Sequence, residues 1–155
     1  MGPAKKRIEK RKVVAAEAQE NSELAKMKID NSKGNTKPRL LLVESNDLIR
    51  DIFRELFEKH GYYIIAADTA KDGLKILNDE CFDIVICDFD LYDNTGLEFF
   101  ESIKNICPDR TNILMINYGD LVNISEVKKL NIHHIIEKPF PFETLLRIVE
   151  KTPKK

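Results

Sequence analysis

The sequence of 155 residues contains no tryptophan, only three cysteines and three histidines, and no long apolar run. The cysteines, Cys81, Cys87 and Cys107, are odd in number and lack CxxC spacing, which argues against a disulfide framework and a zinc site. No apolar stretch approaches the roughly 20 residues of a membrane-spanning helix, and the first residues lack the apolar core of a signal peptide. We therefore expect a cytoplasmic protein without a membrane span, in a reducing compartment.

The net charge of −1 hides an asymmetry along the chain. Residues 1–38 carry ten Lys/Arg against five Asp/Glu, whereas residues 39–155 carry fifteen against twenty-one. The basic part contains helix formers without a heptad seam and ends in the turn-rich stretch DNSKGNTKP, which is typical of a linker. The sequence predicts a basic N-terminal extension with linker at residues 1–38, helical or disordered, and one folded domain at 39–155. The acidic charge of that domain argues against binding to nucleic acid.

Strand and helix signals alternate throughout the acidic part. Helical spacing of apolar residues follows each short apolar run, with the third helix predicted over Leu97–Ile106 and the fourth over Leu121–Leu130. Five β/α units predict an α/β fold in which a doubly wound, five-stranded parallel sheet of order 2-1-3-4-5 has helices on both faces, as in flavodoxin. The predicted strands are Leu40–Val43, Tyr62–Ala66, Phe82–Asp88, Ile113–Ile116 and Ile132–Ile136.

Polar side chains follow three of these predicted strands. Glu44 and Ser45 follow the first, Asp88 ends the third, and Lys138 follows the fifth. Ligands bind beyond the carboxyl ends of open α/β sheets, and the 2-1-3-4-5 order makes the first and third strands neighbours. Two carboxylates there can hold Mg²⁺, and a lysine opposite can neutralise phosphoryl oxygens. The set predicts phosphoryl transfer to a carboxylate, although by position alone Asp88 fits the cap of a turn equally well.

From Arg39 to Lys151 the chain resembles the receiver domain of two-component response regulators. LLLVESN resembles the first strand and acidic turn of that family, FDIVICD its phosphoacceptor strand, NTGLEFF the entry to its third helix, and EKPF its lysine-proline motif. The spacing of these motifs fits the family without gaps. The resemblance covers nearly all of the predicted domain, and its strength lies in the ordered set of motifs.

The resemblance implies a site and its chemistry. Asp88 would accept a phosphoryl group from a histidine kinase or phosphotransfer protein. Mg²⁺ would lie between the acidic turn, Asp88 and the backbone carbonyl of Asp90, and Lys138 would contact the phosphoryl group. The resemblance also implies a cis peptide between Lys138 and Pro139. Such a domain signals through its surface and is not an enzyme, beyond autocatalysed phosphoryl transfer at most.

Several positions depart from the receiver pattern. Ser45 stands where an aspartate metal ligand is expected, so we expect weak Mg²⁺ binding, in which the serine hydroxyl can still orient a metal-bound water. Ile116, or Asn117 if the strand shifts by one residue, stands at the position of the switch hydroxyl, and Ile135 replaces its aromatic partner. Ile116 cannot hydrogen-bond a phosphoryl oxygen, whereas the amide of Asn117 can donate. The usual coupling of hydroxyl and aromatic is therefore not expected to operate. Asp93 adds further charge near the metal.

Three functions remain open. The first is a phosphoacceptor that works slowly and with weak Mg²⁺ dependence. The second is a phosphorylation-independent pseudo-receiver that acts as a protein-interaction module. The third is a nucleotide-binding enzyme on a flavodoxin-like sheet, which the absence of a glycine-rich phosphate loop after the first strand disfavours.

The expected docking surface is the face of the fourth helix, fifth strand and fifth helix, near Ile135 and Leu130, for a partner or a second copy. Cys87 is expected to be a buried apolar residue. The sequence leaves open the cognate kinase, the output, the role of the basic extension, and whether the chain is a single-domain regulator or a piece of a longer protein.

Overall fold

A computed structural model describes residues 37–153, so the predicted state of the N-terminal extension lies outside the described residues. Within these described residues, five strands alternate with five helices and form one parallel sheet of order β2-β1-β3-β4-β5, which confirms the predicted fold. The strands are β1 (Arg39–Val43), β2 (Tyr63–Ala67), β3 (Ile84–Asp88), β4 (Thr111–Asn117) and β5 (Ile132–Lys138). The helices are α1 (Asp47–Lys59), α2 (Ala70–Asp79), α3 (Gly96–Ser102), α4 (Ile124–Lys129) and α5 (Phe142–Glu150).

Apolar side chains alternate across the sheet and form a core layer on each face, because successive residues of a strand point to opposite sides. The first layer joins Leu41, Val43 and Val85 to Phe99 and Phe100 of α3. The second layer lies on the other face and contains Leu40, Leu42, Ile84, Ile86, Phe57 of α1, and Leu145 and Val149 of α5. The central strand β3 is buried along its whole length, as its uninterrupted apolar run predicts. The carboxyl end of β3 is therefore held firmly by both layers.

Local capping signals set several element boundaries. The N-cap side chains of the first four helices accept a hydrogen bond from a main-chain amide of the helix that follows. They are Asn46, Thr69, Thr95 and Asn123. Thr69 can be predicted as an N-cap from the sequence, because it directly precedes a stretch with helical spacing of apolar residues. Gly61 follows α1 with a φ of +86°, as expected of a glycine after a helix end.

The third helix is shorter than the sequence predicts, since α3 ends at Ser102 and not at Ile106. The buried guanidinium of Arg110 donates to the carbonyl oxygens of Ile103 at 2.7 Å, of Cys107 at 3.0 Å, and of Ile106. These bonds satisfy carbonyl oxygens after the helix end, which in a longer helix would accept hydrogen bonds from main-chain amides of the helix. Burial lowers the pKa of Arg110 to about 10, so it stays charged at neutral pH.

The fourth helix is also shorter than predicted. The predicted span Leu121–Leu130 contains α4 only from Ile124 to Lys129, because Asn123 caps the helix. The loop before α4 leaves Tyr118 and Leu121 exposed.

Within residues 37–153, no helix is long and apolar enough to cross a membrane.

The expectation that the cysteines form no disulfide is wrong for two of them. Cys81 and Cys107 are joined by a disulfide, with their Cα atoms 5.8 Å apart, across a sequence separation of 26 residues. The spacing of the cysteines carries no signal for this pair, because the two meet only when β3 and β4 lie side by side. Strand β3 begins three residues after Cys81, and β4 begins four residues after Cys107. Cys87 is free and buried, as predicted.

Candidate functional site

The side chains of Glu44, Asp88 and Lys138 meet beyond the carboxyl ends of their strands. Val43 pairs with Cys87 in the parallel register of β1 and β3, so Glu44 and Asp88 lie at the same level on neighbouring strands. From β5, the Nζ atom of Lys138 lies 3.1 Å from Oε2 of Glu44 and 3.0 Å from Oδ1 of Asp88. Glu44 is 1% exposed and Asp88 is 5% exposed. The structure thus brings three sequence-predicted residues into one buried site, where two carboxylates share one ammonium.

Burial dominates the electrostatics of this site. It raises the pKa of Glu44, and the charge of Asp88 raises that pKa further, while Lys138 acts in the opposite direction. Burial also raises the pKa of Asp88, with partial compensation from Lys138. For Lys138, burial lowers the pKa, but the attraction of Glu44 and Asp88 outweighs it and the pKa is raised. With all three groups ionised, the site carries one excess negative charge that a bound cation can neutralise.

One carboxylate oxygen of Asp88 fits a role in ligand binding. Oδ1 is buried, and the ammonium of Lys138 contacts it at 3.0 Å as a charge-assisted pair. A buried carboxylate that shares one cation with a second carboxylate is costly in a purely structural residue. Its occurrence at the end of a parallel strand points to a group that binds there.

The donor set fits Mg²⁺ in its chemistry. Among residues 37–153, no three His, Cys, Asp or Glu side chains cluster closely enough to hold a metal alone. Mg²⁺ commonly takes one or two carboxylates and completes its shell with water and phosphate oxygens, so the carboxylates of Glu44 and Asp88 meet that need.

Ser45 bridges two loops, a role that the sequence did not reveal. Its buried hydroxyl donates to the carbonyl oxygen of Asp68 at 2.6 Å and accepts from the amide of Tyr92 at 2.9 Å. These bonds join the loop after β2 to the loop after β3. Because a hydroxyl has one proton and two lone pairs, one lone pair stays available for a further donor or a cation. The predicted part of Ser45 in metal binding remains a prediction.

The loop after β3 is anchored at its other side by Asp93. The carboxylate of Asp93 accepts from the amides of Ala70 at 2.9 Å and Lys71 at 3.0 Å, at the N-terminus of α2. The positive end of the helix dipole stabilises a carboxylate at this position. The charge that we expected near the metal is thus used to tie the loop to α2.

Helix α3 begins directly against the end of β3. The amide of Gly96 donates to the carbonyl of Phe89 at 2.7 Å, and a Cβ atom at position 96 would lie 2.5 Å from the carbonyl oxygen of Asp88. Only glycine fits this close approach of two backbones. The glycine in the motif NTGLEFF therefore keeps the first turn of α3 beside Asp88.

The predicted switch positions lie around the same loop. Ile116 is partly buried and packs against the first core layer. Asn117 follows it at the end of β4, and its Nδ2 atom donates to Oδ2 of Asp90 at 3.0 Å. Ile135 is 42% exposed on β5. The structure therefore connects Asn117, and not Ile116, to the loop that carries Asp90.

Comparisons with known proteins agree with this arrangement. Residues 40–150 match the family model described as response regulator receiver domain. The sporulation initiation phosphotransferase F of Bacillus subtilis is 30% identical over 73% of this chain and 91% of that protein. The transcriptional regulatory protein GlrR of Escherichia coli is 22% identical over 72% of this chain, which spans only 25% of that longer protein. A CheY-like response regulator receiver domain protein from Methanospirillum hungatei superimposes with a TM-score of 0.70, at 27% identity, over 76% of this chain and 93% of that one.

Proposed function

This chain belongs to the response regulator receiver domain family, and we propose that its Asp88 accepts a phosphoryl group from a histidine kinase or a phosphotransfer protein. One observation carries the proposal. The Asp88 carboxylate is buried at the end of β3 beside Glu44, and its Oδ1 atom lies 3.0 Å from the ammonium of Lys138. The pairing of a carboxylate with a fixed cation is what transfer to a carboxylate requires, since positioning and charge stabilisation supply most of the catalysis.

The transfer forms one bond and breaks one. A carboxylate oxygen of Asp88 attacks the phosphorus of a phosphohistidine, the phosphorus–nitrogen bond breaks, and its electron pair stays on the imidazole, which takes up a proton. Lys138 then moves its ion pair from Asp88 to the phosphoryl oxygens and stabilises their charge. The domain acts as a signalling module, and its own contribution to the chemistry is this autocatalysed step.

Glu44, Asp88 and the backbone carbonyl of Asp90 would hold Mg²⁺. When bound, the ion neutralises negative charge on the phosphoryl group. Ser45 supplies no carboxylate, so the ion binds weakly and phosphorylation depends weakly on its concentration.

The response to phosphorylation runs through Asn117 in this proposal. Its amide now donates to Asp90 and can turn to a phosphoryl oxygen on Asp88, which would release the loop before α4. The face of α4, β5 and α5 then presents a changed surface to a partner or a second copy. Ile124, 73% exposed, and Ile135 give that surface an apolar character. Leu130, which we expected near this surface, is instead buried in the first core layer.

A phosphorylation-independent interaction module is the second candidate. Two observations favour it: the hydroxyl of Ser45 is engaged between two loops, and Ile116 packs in the core in place of a switch hydroxyl. In this case the cluster of Glu44, Asp88 and Lys138 is a structural remnant, and partner binding is the same with and without a phosphoryl group.

Binding of beryllofluoride, a phosphoryl mimic, separates the two candidates. With beryllofluoride and millimolar Mg²⁺, we expect amide NMR shifts around Asp88 and at Asn117 in the wild-type chain. The Asp51→Asn variant, which removes an exposed carboxylate from α1, should respond like the wild type, and Asp88→Asn should not respond. Identical spectra of wild type and Asp88→Asn with the mimic would contradict phosphorylation and leave the interaction module.

A further inference from the structure

The disulfide between Cys81 and Cys107 lies at the end of the sheet opposite to Asp88. Cys81 precedes the first residue of β3, and Cys107 precedes the first residue of β4, whereas Asp88 is the last residue of β3. The Cα separation of 5.8 Å is within the normal range for a disulfide. The bond is therefore a covalent feature separate from the phosphoacceptor site.

The disulfide encloses the segment that carries the acceptor. Its 26-residue span contains β3, the loop with Asp90, and α3 with Gly96. We call residues 82–106 the acceptor segment. A covalent link at both ends of a segment restricts its open conformations, and the restriction grows with the length of the loop. The state of the two cysteines thus bears on the mobility of the segment in which Asp88 sits.

The backbone on each side of the bond is held by other contacts. Next to Cys81, Phe82 is buried and stacks on Tyr63. The carbonyl of Cys107 accepts from Arg110 at 3.0 Å, and Pro108 follows it in the chain. Because these contacts do not involve the sulfur atoms, we expect them to keep the two cysteines near each other after reduction. The two thiols of such a pair can form the disulfide again without a large rearrangement of the chain.

The two cysteines of the pair are also reachable from solvent. Cys81 is exposed and Cys107 is partly exposed, in contrast to the fully buried Cys87. Cys107 adopts a φ of +44°, in the left-handed region that few residues other than glycine and asparagine occupy. Accessibility and proximity together are the requirements for exchange with a small thiol or disulfide.

We propose that Cys81 and Cys107 form a redox-active dithiol that exchanges with small-molecule disulfides of the glutathione type and controls the mobility of the acceptor segment. The thiolate of Cys81 attacks one sulfur of the small disulfide, forms a mixed disulfide and releases one thiolate. The thiolate of Cys107 then attacks the sulfur of Cys81, closes the protein disulfide and releases the second thiolate. One protein dithiol and one small disulfide thus give one protein disulfide and two small thiols, and excess thiol reverses the reaction.

Thiol trapping of the full chain tests the exchange. The protein is equilibrated in buffers of varied ratio of reduced to oxidised glutathione, quenched with acid, unfolded and alkylated, and the blocked thiols are counted by mass. We expect the count to fall from three to one in a single transition as the buffer becomes oxidising. Cys87→Ala should keep the transition and Cys81→Ala should abolish it. A count of three throughout, or of one throughout, would overturn the proposal.

Two further readouts on the wild-type chain test the effect on the acceptor segment, so that the result does not depend on a cysteine variant that folds. The oxidised form should melt about 10 °C above the reduced form, because closing the loop removes entropy from the unfolded chain. Amide hydrogen exchange over residues 82–106 should be slower in the oxidised form. Equal exchange in both forms would refute control of the acceptor segment. Neither readout requires phosphorylation of Asp88.

Discussion

At the scale of single residues, the site combines functional and destabilising features in the same side chains. Glu44 and Asp88 are buried beside one ammonium, and burial is the main reason why both have raised pKa values. Groups that are harder to ionise in the folded state than in the unfolded chain oppose folding at neutral pH. The structure keeps these two carboxylates at a cost in stability, as expected where a ligand is to be bound.

Removal of one carboxylate should therefore stabilise the domain. We expect Asp88→Asn to raise the free energy of unfolding at pH 7 by about 1–2 kcal/mol, because Lys138 then pairs with Glu44 alone. Lys138→Met should have the opposite effect, by about 2 kcal/mol or more, since it leaves two buried carboxylates without their cation. Urea denaturation of the three proteins without Mg²⁺ measures both changes.

The pH dependence of the folding stability follows from the same pKa shifts. The folded state holds the Asp88 proton more tightly than the unfolded chain, so the stability contributed by this group is fully present below its unfolded pKa, about 3.9. That contribution is lost as the pH rises through the raised folded value. The advantage of Asp88→Asn over the wild type should accordingly appear above pH 4, grow with pH and then level off. If Asp88→Asn exceeds the wild type in free energy of unfolding by the same amount at pH 4 and at pH 7, this explanation is refuted.

Ser45 offers a second test at this scale. Ser45→Asp should bind Mg²⁺ at least about tenfold more tightly than the wild type, because a third carboxylate joins Glu44 and Asp88. Without Mg²⁺ the variant should be less stable, since it loses the hydroxyl bond to the carbonyl of Asp68 and adds buried negative charge. Calorimetric titration with Mg²⁺ measures the affinity. The control Ser45→Ala loses the bridge without adding charge, and equal Mg²⁺ affinity in all three proteins would contradict the predicted position of the ion.

At the scale of elements, the site depends on how closely α3 approaches β3. The two neighbouring glycine positions of this layer differ in what surrounds them. A Cβ atom at Gly96 would meet backbone, the carbonyl oxygen of Asp88 at 2.5 Å. A Cβ atom at Gly73 in α2 would meet side chains, Val43 at 2.9 Å and Phe99 at 3.0 Å. The backbone at Asp88 cannot move away unless β3 moves with it, whereas the side chains near Gly73 can shift to make room.

Gly96→Ala should therefore lower the free energy of unfolding by about 2–4 kcal/mol and shift the amide resonances of Asp88 and Phe89. Gly73→Ala is the matched control. It should cost less, because the contacted side chains can yield and alanine favours the helix by about 1 kcal/mol. Denaturant unfolding and amide spectra of both variants check this order, and an equal cost at the two positions would contradict it.

At the scale of the whole molecule, the sequence predicted the fold because each layer of the core has a periodic signal. The continuous apolar run of β3 and the helical spacing in α1 are local properties, and together they specify a parallel sheet with helices on both faces. The meeting of Glu44, Asp88 and Lys138 followed from strand order alone. These predictions needed no knowledge of individual side-chain contacts.

The features that the sequence did not predict depend on specific side-chain contacts that no periodic pattern encodes. Ser45 bonds to the main chain of residues 23 and 47 positions away, and no pattern in the sequence encodes such partners. The early end of α3 follows from the buried guanidinium of Arg110, which lies beyond the helix. The pairing of Cys81 with Cys107 requires the neighbouring positions of β3 and β4.

Transfer of a phosphoryl group from a small phosphodonor such as acetyl phosphate tests whether Asp88 is a phosphoacceptor. The chain is incubated with the donor and Mg²⁺, and the mass of the intact protein is recorded over time. We expect one phosphoryl group to be added slowly to the wild type and to Asp51→Asn. No phosphoryl group should be added to Asp88→Asn. An unmodified wild type at millimolar Mg²⁺, or equal modification of Asp88→Asn, would contradict it.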